Sequence, residues 1–77
     1  MAFTTYQFEN NGDIFGLGTD GKLTHVGRCD SEGDLRIESD FSELESEIDD
    51  CLKTTVKSAL AGGIDWTPDE CFLKRTR

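Results

Sequence analysis

The segment from Asp40 to Gly63 constrains this chain more than any other. At about 100° per residue, Phe41, Leu44, Ile48, Cys51, Leu52, Thr55, Val56 and Ala59 fall on one broad stripe. That is the pattern of a helix with a single buried face. Such a rod does not stand alone in water, so the remainder of the chain must cover the stripe. Asp40 with Glu43 three places on reads as a capping box, and Gly62-Gly63 as the stop. Early acids and the later Lys53 and Lys57 suit the helix dipole. The spacing predicts a helix over about 40–61.

What covers the stripe is legible upstream. Asn11-Gly12 and Asp20-Gly21 are two-residue hairpin signals, because these residues tolerate positive φ. With Asp30–Gly33 as a third loop, they predict a four-stranded antiparallel β-meander with strands at about 2–10, 13–19, 22–29 and 34–38. Folding about these turns sets Phe8 opposite Phe15, Tyr6 opposite Leu17, and Asp13 opposite Arg28. It also sets Phe15 opposite Val26, Leu17 opposite Thr24, Val26 opposite Ile37 and Arg28 opposite Leu35. Tyr6, Phe8, Phe15, Leu17, Val26, Leu35 and Ile37 then face the helix. The other face carries Thr5, Gln7, Ile14, Gly16, Gly18, Leu23, His25, Gly27 and Arg36, a shallow trough lined by glycines.

Near the end, Thr67 at the N-cap, Pro68 and Glu70 begin a short helix over about 68–74. Trp66 is placed to staple onto Cys71, and Trp66, Phe72 and Leu73 must be covered, most simply by their own domain. Lys74, Arg75 and Arg77 form a basic end. The expectation is a single α+β domain over 1–77.

Charge narrows the functions. The net charge is −8 and the pI about 4.4, and ten of the sixteen acids lie between residues 30 and 50 with Arg36 as the only base there. Direct nucleic-acid binding needs clustered Lys and Arg, and anionic lipid repels such a surface. No apolar run reaches membrane-spanning or signal length, and three widely spaced cysteines, an odd number, are a poor disulfide framework. A reducing cytoplasm is the expected setting.

Catalytic and metal constellations do not assemble. Asp30, Glu32, Asp34 and Glu38 suggest calcium, but Gly33 comes fourth where an EF-hand loop needs glycine sixth. His25 and Cys29 share a strand face without the further ligands a zinc site requires. One histidine builds no nucleophile–base–orienter set, and Gly16-Leu17-Gly18 opens no helix. A chain this small leaves little room for a glycosidase cleft. The chain is expected to be non-enzymatic, with no cofactor and no metal.

One feature opposes local stability. Glu43, Glu47 and Asp50 line up on the polar side of the helix, where like charges one turn apart cost about 0.2–0.5 kcal/mol per pair. Their axial spacing of about 6 Å is near twice the roughly 3.4 Å rise per phosphate on one DNA strand. With Asp30, Glu32 and Asp34 they form the candidate partner-binding set, suited to a basic protein surface. The profile is similar in kind to phage and mobile-element inhibitors that mimic nucleic acid. That resemblance is of type and covers no motif. It implies as target a nucleic-acid-binding protein such as a restriction or CRISPR effector. The stretch from Asp13 to His25 resembles one strand pair of a β-propeller lectin repeat, but it occurs once, and one blade builds no propeller. The alternative is a homodimer or assembly subunit joined through the glycine-lined sheet face, with acidity serving solubility.

Overall fold

The computed structural model describes residues 3–76. Four strands, β1 (Thr5–Phe8), β2 (Asp13–Leu17), β3 (Leu23–Cys29) and β4 (Leu35–Ile37), form one sheet in the order β1-β2-β3-β4. Each neighbour pair is antiparallel. A 3-10 helix, η1 (Ser39–Leu44), leads into α1 (Glu45–Leu60), and α2 (Glu70–Thr76) ends the description. The α+β meander with one long and one short helix is the expected architecture. The start of the first strand at residue 2 and the Arg77 end of the basic tail lie outside the described residues.

The register differs by one residue at each turn, for one shared reason. All three hairpins close with three-residue loops rather than the lengths expected. The Glu9 N–H donates to Asp13 O at 2.9 Å, Gly18 N–H to Lys22 O at 3.0 Å, and Asp30 N–H to Asp34 O at 3.0 Å. The third loop residue is glycine each time, Gly12, Gly21 and Gly33 at φ 96°, 81° and 89°. This is a type I turn followed by a left-handed residue, a conformation glycine adopts without penalty. Among the described residues no other residue type has positive φ, so none of these hairpins closes with a two-residue type I′ turn.

Lengthening the first loop by one residue turns β2 over. Phe8 pairs with Ile14 and Tyr6 with Gly16, so Ile14 is fully buried while Phe15 and Leu17 face outward. Phe15 then pairs with His25 and Leu17 with Leu23, replacing the expected Val26 and Thr24. A bulge at Val26 shifts the pairing between Ile14 and Phe15, after which Asp13 meets Arg28 as expected. The bulge lets Val26 and Gly27 both turn inward, followed by Cys29. Across the third hairpin Gly27 pairs with Ile37, Arg28 with Arg36 and Cys29 with Leu35, one residue from the expected pairs.

The glycine-lined outer trough therefore does not exist. Gly16 and Gly27 are buried: a Cβ on Gly16 would lie 2.6 Å from the Phe3 ring, and one on Gly27 would lie 2.5 Å from Arg36 O. The glycines make room for Phe3 and for β4. Tyr6, Phe8, Ile14, Val26 and Cys29 meet Ile48, Leu52 and Val56 of α1 in one core.

The long helix starts differently too. Glu38 precedes η1 with no side-chain cap, and Leu44 at φ −92°, ψ 0° joins η1 to α1, so the Asp40–Glu43 box is not formed. The tighter winding brings side chains three apart into line, and Phe41 and Leu44 both pack on the core, Phe41 5.8 Å from Phe3. The far end behaves as expected. The Gly63 N–H donates to Ser58 O and Gly62 to Ala59 O, with Gly62 at φ 79°, a Schellman close.

In α2 the helix begins at Glu70, two residues late, because the Asp69 carbonyl accepts the Phe72 and Leu73 N–H groups. Phe72 is fully buried, 5.7 Å from Phe8 and 5.8 Å from Trp66. Trp66 thus packs on Phe72 and Phe8, where Cys71 was expected as its contact. The same helix reaches the β3–β4 loop, where Lys74 Nζ donates to Ser31 O at 2.9 Å. Bare backbone at Gly33 admits it, since a Cβ there would lie 2.9 Å from Lys74 Cβ.

Candidate partner-binding surface

The acids divide into those the fold uses and those it leaves free. Asp30 is used. Its Oδ1 accepts the Glu32 and Asp34 N–H groups at 2.9 Å, and its Oδ2 accepts Arg36 Nε at 3.0 Å. The Asp34 N–H foremost, then Arg36 and the Glu32 N–H, hold its carboxyl below the ordinary carboxylate value against the cost of desolvation. Asp30 is thereby committed to shaping the loop, leaving Glu32 and Asp34 as that loop's free acids. Asp49 is used as well, 3.0 Å from both Lys53 and Arg75. Burial is the largest influence on Asp49 and pushes its carboxyl up, yet Lys53 and Arg75 together outweigh it and the net shift is downward.

On the helix, Glu47 accepts a hydrogen bond from Tyr6 Oη at 2.5 Å. That contact was not foreseen, because it joins the polar helix flank to a core tyrosine through tertiary packing. It turns Glu47 toward β1 without adding a positive charge. Glu32, Asp34, Glu43 and Asp50 make no ion pair among the described residues.

Geometry alters the expected row of carboxylates. Glu43 sits in η1, so a regular one-turn ladder does not run through it, and only Glu47 and Asp50 share α1. The two groups of acids are also apart. Glu47 faces β1 at one edge of the sheet, whereas the 30–34 loop joins β3 to β4 at the other edge, held by Lys74. The six candidate residues form two patches.

His25 gains partners that its strand position alone did not reveal. Its Nε2 lies 3.2 Å from Asp13 Oδ1 and its Nδ1 3.4 Å from Glu38 Oε2, with the Phe15 ring edge-on at 5.3 Å. A neutral imidazole donates to one carboxylate, a protonated one to both. Cys29, expected beside His25 on the outer face, is instead 1% exposed in the core. Among the described residues no cluster of three or more His, Cys, Asp or Glu has a metal-holding arrangement. Nor is any helix among the described residues long and apolar enough to cross a membrane.

The three cysteines are free thiols. Cys29 Sγ donates to Cys71 O at 3.2 Å, and burial, then the neighbouring Cys71, pushes the Cys29 thiol from 9.0 up to about 12. Burial, then Asp69, raises Cys71. Burial, then Glu47, raises the Tyr6 phenol. In the unfolded chain these groups shed protons first, so above pH 9 the folded state holds more protons than the unfolded state. The Cys29 contribution to stability is complete below about pH 9 and is lost as pH rises toward 12, and the raised Cys71 and Tyr6 act in the same direction. Each group that stays protonated only in the fold steepens the loss by about 1.4 kcal/mol per pH unit. Urea midpoints measured on either side of that window should fall with pH, and a midpoint that stays constant overturns this account.

No protein-family model matches this chain, and no curated protein or solved structure matches it either.

Proposed function

We propose that this chain is a non-enzymatic acidic binding module that occupies a basic, nucleic-acid-binding surface of a target protein in the cytoplasm. A phage- or mobile-element-type inhibitor of a restriction or CRISPR effector is the concrete form of this reading. What carries it is the division of the acids. Asp30 and Asp49 have internal Arg or Lys partners and Asp13 and Glu38 flank His25, while Glu43 in η1 and Asp50 in α1 have no basic partner among the described residues. Carboxylates without an internal cation, of which Glu47 and Asp50 stand about one turn apart on α1, suit an external cation, and binding of this kind is steered by charge and weakened by salt. Glu47, anchored by Tyr6, fixes the orientation of the patch.

The test immobilises the chain and challenges it with lysate at low salt. Proteins released by added salt and displaced by duplex DNA are expected. A variant carrying Glu43→Gln, Glu47→Gln and Asp50→Asn keeps an acceptor for Tyr6 and removes the charge. It should bind the same protein at least about tenfold more weakly. Undiminished binding by that folded variant overturns the acidic-surface reading.

A further inference from the structure

The far half of the same helix carries the opposite chemistry. Between the C-terminal half of α1 and the end of α2 lies a groove of about 330 Å³ lined by Lys53, Val56, Lys57, Leu60 and Thr76. Lys53 and Lys57 stand one turn apart, a repulsive pair for an isolated helix. The carboxylate beside them, Asp49, already serves both Lys53 and Arg75 at 3.0 Å. Lys57 makes no ion pair among the described residues, and the positions one turn away, Lys53, Thr54, Leu60 and Ala61, offer no acid. Two cations thus share one carboxylate here and Lys57 has none, in a chain of net charge −8.

The lining is also apolar where a solvated helix flank has no need of it. Val56 is buried at the base, while Leu60 is 68% exposed, well above Leu23 and Ile64. The aliphatic stems of the two lysines extend that surface and leave their ammonium groups at the rim. Pockets that hold ligands run from about 300 to 1,000 Å³, so this groove suits one or two apolar side chains rather than a large molecule.

We infer that this groove docks an acidic amphipathic peptide segment of a partner protein. Its apolar side chains cover Leu60 and the lysine stems above the buried Val56, and its carboxylates meet Lys57 and Lys53. The sign of the rim selects this occupant, because a basic segment would place cations against ammonium groups that have no spare carboxylate. The site lies on the α2-facing flank of α1, whereas Glu47 turns toward β1. It therefore stands independently of the acidic surface above, and the molecule presents two docking surfaces of opposite charge.

The test uses a short capped peptide of Glu and Leu at helical spacing, titrated into the whole isotope-labelled chain. Saturable shifts of the Val56 and Leu60 methyl signals are expected, absent for the same peptide with Gln for Glu. Lys57→Glu, at an exposed position without an ion pair, should weaken the interaction at least about tenfold, and Leu60→Ser should weaken it comparably. Glu43→Gln/Asp50→Asn should leave it unchanged, which separates this site from the acidic surface. Methyl signals that do not move overturn the proposal, as does binding undiminished in folded Lys57→Glu or Leu60→Ser. A two-chain mass in the absence of peptide, abolished by Lys57→Glu, assigns the groove to a second copy and overturns it equally.

Discussion

Replacing Ile48 by Asp abolishes the cooperative unfolding transition of this chain. Ile48 is fully buried at the centre of the core, between Leu52 and Val56 on its own helix and the Tyr6–Phe8 and Ile14–Val26 layer beneath. A carboxylate there loses its hydration with no cation to meet it, at several kcal/mol after relaxation. A domain of this size has about 5 kcal/mol in total to lose. Thermal unfolding followed by circular dichroism is the measurement, with Asp50→Asn on the exposed side of α1 as the control that keeps its midpoint. A cooperative melt for the Ile48 variant within a few degrees of the parent contradicts the two-layer core.

Phe72→Ala should cost about 3–5 kcal/mol, as removal of a fully packed ring does. Phe72 has no exposed surface and touches both Phe8 of β1 and Trp66, so the loss tests whether α2 belongs to the core or merely rests against it. The single tryptophan reports on the same contact, and its emission should move to longer wavelength in the variant. Leu73→Ala, one residue on at a partly buried position, should cost far less. Equal and small losses for both would place α2 outside the core.

The long helix was legible because its signal is internal. A stripe repeated over several turns survives an error of one residue at either end, and the Gly62-Gly63 close depends only on neighbouring backbone groups. The strands were legible as segments, and Tyr6, Phe8, Val26, Leu35 and Ile37 face the core as expected, but the face of β2 was not legible. Strand periodicity is two, so one extra loop residue exchanges the inside and outside of β2, which is how Ile14 took the place of Phe15 and Leu17 in the core. A signal did exist: glycine ends each three-residue loop, at Gly12, Gly21 and Gly33, where one left-handed residue suffices. The bulge at Val26 had no local mark, since it arises where β3 must serve two registers at once. For the candidate surface, composition located the acids, and contacts between distant segments sorted them. Asp30 is held through Arg36, Asp49 through Lys53 and Arg75, and Glu47 through Tyr6.

Sequence by itself determined which segments are strands and which are helices, where the chain turns, and that negative charge gathers between residues 30 and 50. These properties depend on neighbours within a few positions, where side-chain spacing and backbone preference act directly. Tertiary structure alone decided which side of β2 is inside, which acids remain without a basic partner, and that Lys53 and Lys57 border an apolar groove. Each of those depends on residues far apart in the chain meeting in space, and a shift of one residue in a loop is enough to change the answer.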